Sequence, residues 1–184
     1  MKVALCIGHS PQDGGEVSIM GGQSEYEFWR RHLPTLQAAL ERRGPEAVIV
    51  NRSDAGGTTP SYAAIACNAV DADLAIEFHF NSAGAGATGT ETYYWYASPL
   101  GIKAAMMIQQ NMYWVMRLPD RGVKPVRDPQ DRSYNYFKKT KMPAVLVEPA
   151  FAGSSVTDCE RLQTRVSDLC FAIATAINTY AKQL

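Results

Sequence analysis

Two rhythms of apolar residues run through this chain: short runs that are apolar throughout or at every second position, and longer stretches in which apolar residues return every three or four positions. The first rhythm predicts strands and the second helices. Val3 to Ile7 is continuously apolar and is halted by Gly8-His9-Ser10-Pro11, as expected of a buried first strand that leads into a loop. Ala47 to Val50 predicts a second strand and Asp73 to His79 a third. In the third, Leu74, Ile76 and Phe78 face one side of a sheet, while Ala75, Glu77 and His79 face the other. Ser82-Ala83-Gly84-Ala85-Gly86-Ala87 then dissolves the pattern into a loop of small residues. Gly89 to Tyr96 has strand propensity throughout. Tyr134 to Lys138 is expected as a short edge strand, and Met142 to Pro149 as a buried strand carrying Glu148 at its end.

The helical rhythm begins after Ser24, which with Glu27 three residues later forms a capping box. At about 100° per residue, Glu25 shares a face with Trp29, His32, Leu36 and Leu40, whereas Glu27 points to solvent. A carboxylate at the head of an inward stripe needs a cation or metal beside it, because an unpaired buried charge is costly. Pro34 lies mid-pattern on the outer face and predicts a kink or restart. Further helices are expected over Pro60–Val70, Pro99–Arg117 and Val156–Ala181, with a polar segment from Pro119 to Ser133 between elements. Strands alternating with helices predict an α/β fold, a mostly parallel twisted sheet of about five or six strands covered on both faces. The length, 184 residues, suits one domain over 1–184.

Composition narrows the function classes. Lys and Arg together number 18, as do Asp and Glu, so no basic bias advertises nucleic acid or an anionic membrane as partner. An uncharged or zwitterionic substrate is compatible. Met1 to His9 is too short for a signal-peptide apolar region and runs straight into a strand, so synthesis in the cytoplasm without an export signal is expected. Cys6, Cys67, Cys159 and Cys170 are widely spaced and mostly within apolar runs, which predicts buried thiols. The glycine-rich loop from Asp13 to Gly22 lacks phosphate-cradling spacing and is assigned to substrate access.

Candidate chemistry gathers at element ends. Predicted strands finish at His9, His79 and Glu148, and a predicted helix opens with the inward-facing Glu25. In α/β sheets, ligands collect at the carboxyl ends of strands. Two imidazoles and a carboxylate with an open fourth position make a catalytic zinc set, and a second, unligated carboxylate is what zinc hydrolysis needs as general base. The residues alone leave the alternative that the histidines only hydrogen-bond.

Their order resembles the zinc-dependent N-acetylmuramoyl-L-alanine amidases of the type 3 family, which cleave bacterial peptidoglycan. Gly8-His9-Ser10 is similar to the turn of the first ligand, Ser24-Glu25 to the Glu ligand at a helix start, and His79-Phe80-Asn81 to the second histidine's motif. Gly89-Thr90-Glu91 and Arg121-Gly122-Val123-Lys124 resemble further family segments. Thr140 to Glu148 is similar to the catalytic strand and is the most specific match. The chain departs from the commonest pattern in Glu77, where a serine often stands, and in Pro149-Ala150 after Glu148.

The resemblance implies a phosphorylase/hydrolase-like fold, one zinc per chain held by His9, Glu25 and His79, and Glu148 as the acid/base. Glu77 and Asn81 are expected around that site, Glu77 either supporting an imidazole or pairing with a Lys or Arg. His32 is expected as a packed core histidine. Of Tyr93 to Tyr96, at most half are available to stack on substrate. The implied reaction is hydrolysis of the amide between N-acetylmuramic acid and L-alanine, with peptidoglycan as partner, and with neither nucleic acid nor stable membrane insertion. Two competing readings are a zinc peptidase acting on the stem peptide and a catalytically silent wall-binding module. The start of the chain further fits a phage endolysin that reaches the wall once a holin has breached the membrane.

Overall fold

A computed structural model describes residues 1–84 and 86–184. Six strands form one sheet: β1 (Lys2–Ile7), β2 (Glu46–Asn51), β3 (Leu74–Phe78), β4 (Thr90–Trp95), β5 (Asp120–Val126) and β6 (Ala144–Glu148). Five α-helices accompany them: α1 (Glu25–Glu41), α2 (Pro60–Ala69), α3 (Pro99–Met116), α4 (Tyr134–Lys139) and α5 (Val156–Ala181). Strand order is β2-β1-β3-β6-β4-β5. The first four run parallel; β4 is antiparallel to β6 and parallel to β5. The expected α/β architecture is therefore present, with the upper of the two expected strand counts.

The two faces of the sheet carry separate cores. Leu74, Ile76 and Phe78 join Val3, Leu5 and Ile7 beneath α1, α3 and α5. Ala75 turns the other way, with Ala4, Cys6 and Leu146, toward residues of α2 and α4. This is the predicted period-2 alternation, and it sends Glu77 to the α2 and α4 side. All four cysteines are buried and free.

Three expectations need correction. Tyr134 to Lys138 is helix α4, not an edge strand: the consecutive Tyr136 and Phe137 are both buried, whereas an edge strand with one covered face would bury every second residue. The polar segment Pro119 to Ser133 contains β5, an outer strand whose largely exposed face left no apolar rhythm to read, and which tolerates Pro125 because an edge strand has spare N–H positions. Helix α1 continues through Pro34 instead of restarting there, with the proline on its exposed side. Of the loop expected over Ser82–Ala87, Ala85 lies outside the described residues. Among the described residues no helix is long and apolar enough to cross a membrane.

Candidate metal centre

Three adjacent parallel strands deliver the site. In the order β1-β3-β6, Ile7 pairs with Phe78 and Phe78 with Val147, so the chain segments that leave these strands emerge side by side. His9 follows β1, His79 follows β3 directly, and Glu148 closes β6. Gly8 makes the approach possible, because its N–H donates to the Phe78 carbonyl at 3.1 Å and a Cβ there would lie 2.3 Å from the His79 ring. Gly15, at φ +77°, brings backbone against the His9 ring in the same way.

Glu25 enters from above as the first residue of α1. The predicted capping box is formed: the Ser24 hydroxyl accepts from the Glu27 N–H, and the Glu27 carboxylate accepts from the Ser24 N–H. That start orients Glu25 inward, at 1% exposure, and leaves Glu27 exposed. One Glu25 oxygen accepts from the Glu16 N–H at 3.0 Å and lies 3.5 Å from His9 Nε2. The other accepts from the Phe80 N–H at 3.0 Å and lies 2.9 Å from His79 Nδ1. Candidate ligand atoms of His9, Glu25 and His79 all fall within 4.8 Å of one another, close enough to hold a metal ion. His32 stands apart, packed against Phe28 with ring centroids 4.5 Å away.

The surrounding charges suit a cation. Glu25, Glu77 and Glu148 are all buried. Burial alone would raise the proton affinity of Glu25, but hydrogen bonds with His79 and His9 outweigh it and hold the carboxyl far below its usual range. Glu77 is likewise depressed despite burial, by His79 and by Arg52. Its two expected roles are combined: one oxygen accepts from Arg52 at 3.0 Å, and the other lies 3.5 Å from His79 Nε2. Burial disfavours a charged imidazole at His79, yet the two carboxylates win and push it up to about 9. A pocket that binds a proton so firmly carries negative charge to spare, which a dication would offset. A carboxylate and two imidazoles, one imidazole backed by a further carboxylate, fit zinc by donor type.

Glu148 is different. It is fully buried, and burial pushes its carboxyl up to about 8 against the opposing pull of Arg132 and His79. Its charged contact is an ion pair with Arg132. Outside it, a cleft of about 410 Å³ is lined by His9, Asp13, Glu16, Glu25, Ser82 and Arg132.

Asn81 joins a neighbouring network instead of the three-residue cluster. Its side-chain amide donates to Glu91 at 2.8 Å, and Glu91 also accepts from Arg121 and Lys124 at 2.5 Å and from the Tyr93 hydroxyl at 2.7 Å. Because β4 is antiparallel to β6, Glu91 pairs with Glu148 while Trp95 and Tyr96 run toward the opposite end of the sheet. Arg52, Arg132 and Glu91 were not legible as site residues from sequence. Only the Gly89-Thr90-Glu91 and Arg121-Gly122-Val123-Lys124 segments carried a hint, through their resemblance to family segments.

The sequence profile described as N-acetylmuramoyl-L-alanine amidase, type 3, matches residues 3–179. The chain belongs to the type 3 N-acetylmuramoyl-L-alanine amidase family. Among relatives, it is 29% identical to the uncharacterized protein YqiI of Bacillus subtilis (strain 168), over 98% of this chain and 85% of that one. It is also 29% identical to the N-acetylmuramoyl-L-alanine amidase LytC of the same organism, covering 86% of this chain but only 31% of LytC. Of solved structures, the catalytic domain of CD27L endolysin targeting Clostridia difficile shares the fold at a TM-score of 0.77 and 22% identity, over 96% of each chain. The amidase family and its α/β fold thus coincide with a His/Glu/His cluster formed by two strand ends and the start of α1.

Proposed function

We propose that this type 3 amidase hydrolyses the amide between N-acetylmuramic acid and L-alanine in peptidoglycan, with residues 1–184 acting as one catalytic unit and zinc as its metal. What supports this reading is the meeting of His9, Glu25 and His79 beside the buried Glu148 in a chain of this family. His9, Glu25 and His79 hold the ion. Bound zinc supplies Lewis-acid polarisation of the amide carbonyl and lowers the pKa of water toward about 7.

The chain's own groups do the rest. Glu148 takes a proton from the attacking water and passes it to the departing alanine nitrogen. Burial raises the proton affinity of the Glu148 carboxyl above that of an ordinary carboxylate, as suits a group that must accept a proton and then return it. Glu77, fixed by Arg52, orients the His79 ring, and the Glu16 and Phe80 N–H groups fix Glu25.

Mass spectrometry of digested peptidoglycan tests the bond that is cut. New free L-alanine amino termini without new reducing sugar ends are expected. A new amine deeper in the stem would favour the peptidase reading, and wall binding without any product would favour the silent module. The finer proposal, a phage endolysin, draws on a fold shared with one endolysin's catalytic domain. Expression in a bacterial cytoplasm with and without a holin tests it: abrupt lysis only with the holin is expected, and lysis by the protein alone would overturn it.

A further inference from the structure

Arg132 lies between β5 and α4 on a turn built around a carboxylate. Asp131 accepts from the backbone N–H groups of Arg127 at 2.6 Å and Asp128 at 2.8 Å, and its own N–H donates to the Asp128 carbonyl at 2.8 Å. Ser133 then adopts φ 52°, a left-handed conformation that reverses the chain into α4. From between these two devices the Arg132 guanidinium reaches Glu148, the fully buried last residue of β6.

Other charges around Glu148 already have partners. Glu91, directly opposite it on β4, is taken by Arg121 and Lys124. Glu77 on β3 is paired with Arg52, and Glu25 on α1 with His9 and His79. Tyr93 on β4 donates its hydroxyl to Glu91. Arg132 is thus the one cation whose ion pair is with Glu148 among the described residues, and it makes no other ion pair there. Its side chain remains 37% exposed and lines the cleft with His9 and Glu25, so Arg132 links the cleft to the buried carboxylate. An ion pair to one oxygen favours one orientation of the buried carboxylate, and neither Glu148 oxygen has a hydrogen-bond partner among the described residues.

We propose that Arg132 is the positioning residue of Glu148, holding its carboxylate in the orientation that proton transfer requires. This inference rests on the reading of Glu148 as the acid/base. A role exerted through Glu148 must vanish when Glu148 is gone, which a double-mutant cycle reads directly.

Release of amine from purified peptidoglycan is followed for the wild type, Arg132→Ala, Arg132→Lys, Glu148→Ala and the Arg132→Ala/Glu148→Ala double variant, each checked for zinc content and thermal unfolding. Arg132→Ala is expected to lower kcat by about 10- to 100-fold with KM and zinc content near wild type. Arg132→Lys should keep part of that loss repaired, and added guanidinium ion should restore turnover to Arg132→Ala but not to Glu148→Ala. In the Glu148→Ala background the second substitution should change nothing. The proposal is overturned if Arg132→Ala turns over as the wild type does, if it raises KM alone, or if it lowers kcat by the same factor in both backgrounds. A wild type that releases no amine would instead remove the reading of Glu148 and this inference with it.

Discussion

At the scale of single residues, position on an element decides which of two like groups becomes chemical. Glu25 and Glu27 lie two residues apart on α1, yet one is buried against both histidines and the other closes a capping box at the surface. Glu25→Ala should therefore abolish zinc binding by isothermal titration, while Glu27→Ala should leave it intact apart from a loss of about 1 kcal/mol or less in stability from the weakened cap. Glu148→Ala is expected to keep its zinc and lose at least about 10²-fold in turnover, because proton transfer and ligation fall on separate residues. Gly8 has no substitute. A methyl group there would meet the His79 ring at 2.3 Å and the Phe78 carbonyl at 2.6 Å, and the carbonyl is backbone. Gly8→Ala should lower stability by about 1–3 kcal/mol and weaken zinc affinity, as thermal unfolding with and without metal will register.

Between elements, charge ties the antiparallel half of the sheet to the parallel half. Glu91 on β4 accepts from Arg121 and Lys124 on β5 and holds Asn81 beyond β3. Burial works to raise its carboxyl, but Lys124 and Arg121 prevail and hold it at about 2 instead of 4.5. A depressed folded-state value means that the stabilisation is complete above about 4.5 and is lost as pH falls toward about 2. Denaturation of wild type and Glu91→Gln across pH should show the largest difference above that window and a shrinking one through it. A constant difference would mean that Glu91 contributes through shape and not through charge. The same elements expose the limits of pattern reading: β5 is polar because it is an edge, and α4 buries two successive aromatic residues in a single turn-and-a-half that no periodicity analysis resolves.

For the whole molecule, a metal joining residues 9, 25 and 79 would cross-link β1, α1 and β3. Binding to the folded state alone stabilises by mass action, so added zinc should raise the melting temperature and a chelator should reverse the gain. Glu25→Ala should show neither response. Equal shifts in both proteins would indicate surface binding elsewhere.

What the sequence determined by itself was local or periodic. The apolar runs set β1, β3 and β6, the Ser24 and Glu27 pair set the start of α1, and the helical wheel set Glu25 inward, since each follows from geometry within a few residues. Resemblance in motif order added the grouping of His9, Glu25, His79 and Glu148. Tertiary structure alone decided who neutralises whom. Arg52 meets Glu77 across 25 residues, Arg121 meets Glu91 across 30, and Arg132 reaches Glu148 from a turn whose own sequence gives no sign of its target. Long charged side chains choose partners by where the strands bring buried carboxylates, and strand order is a property of the assembled sheet.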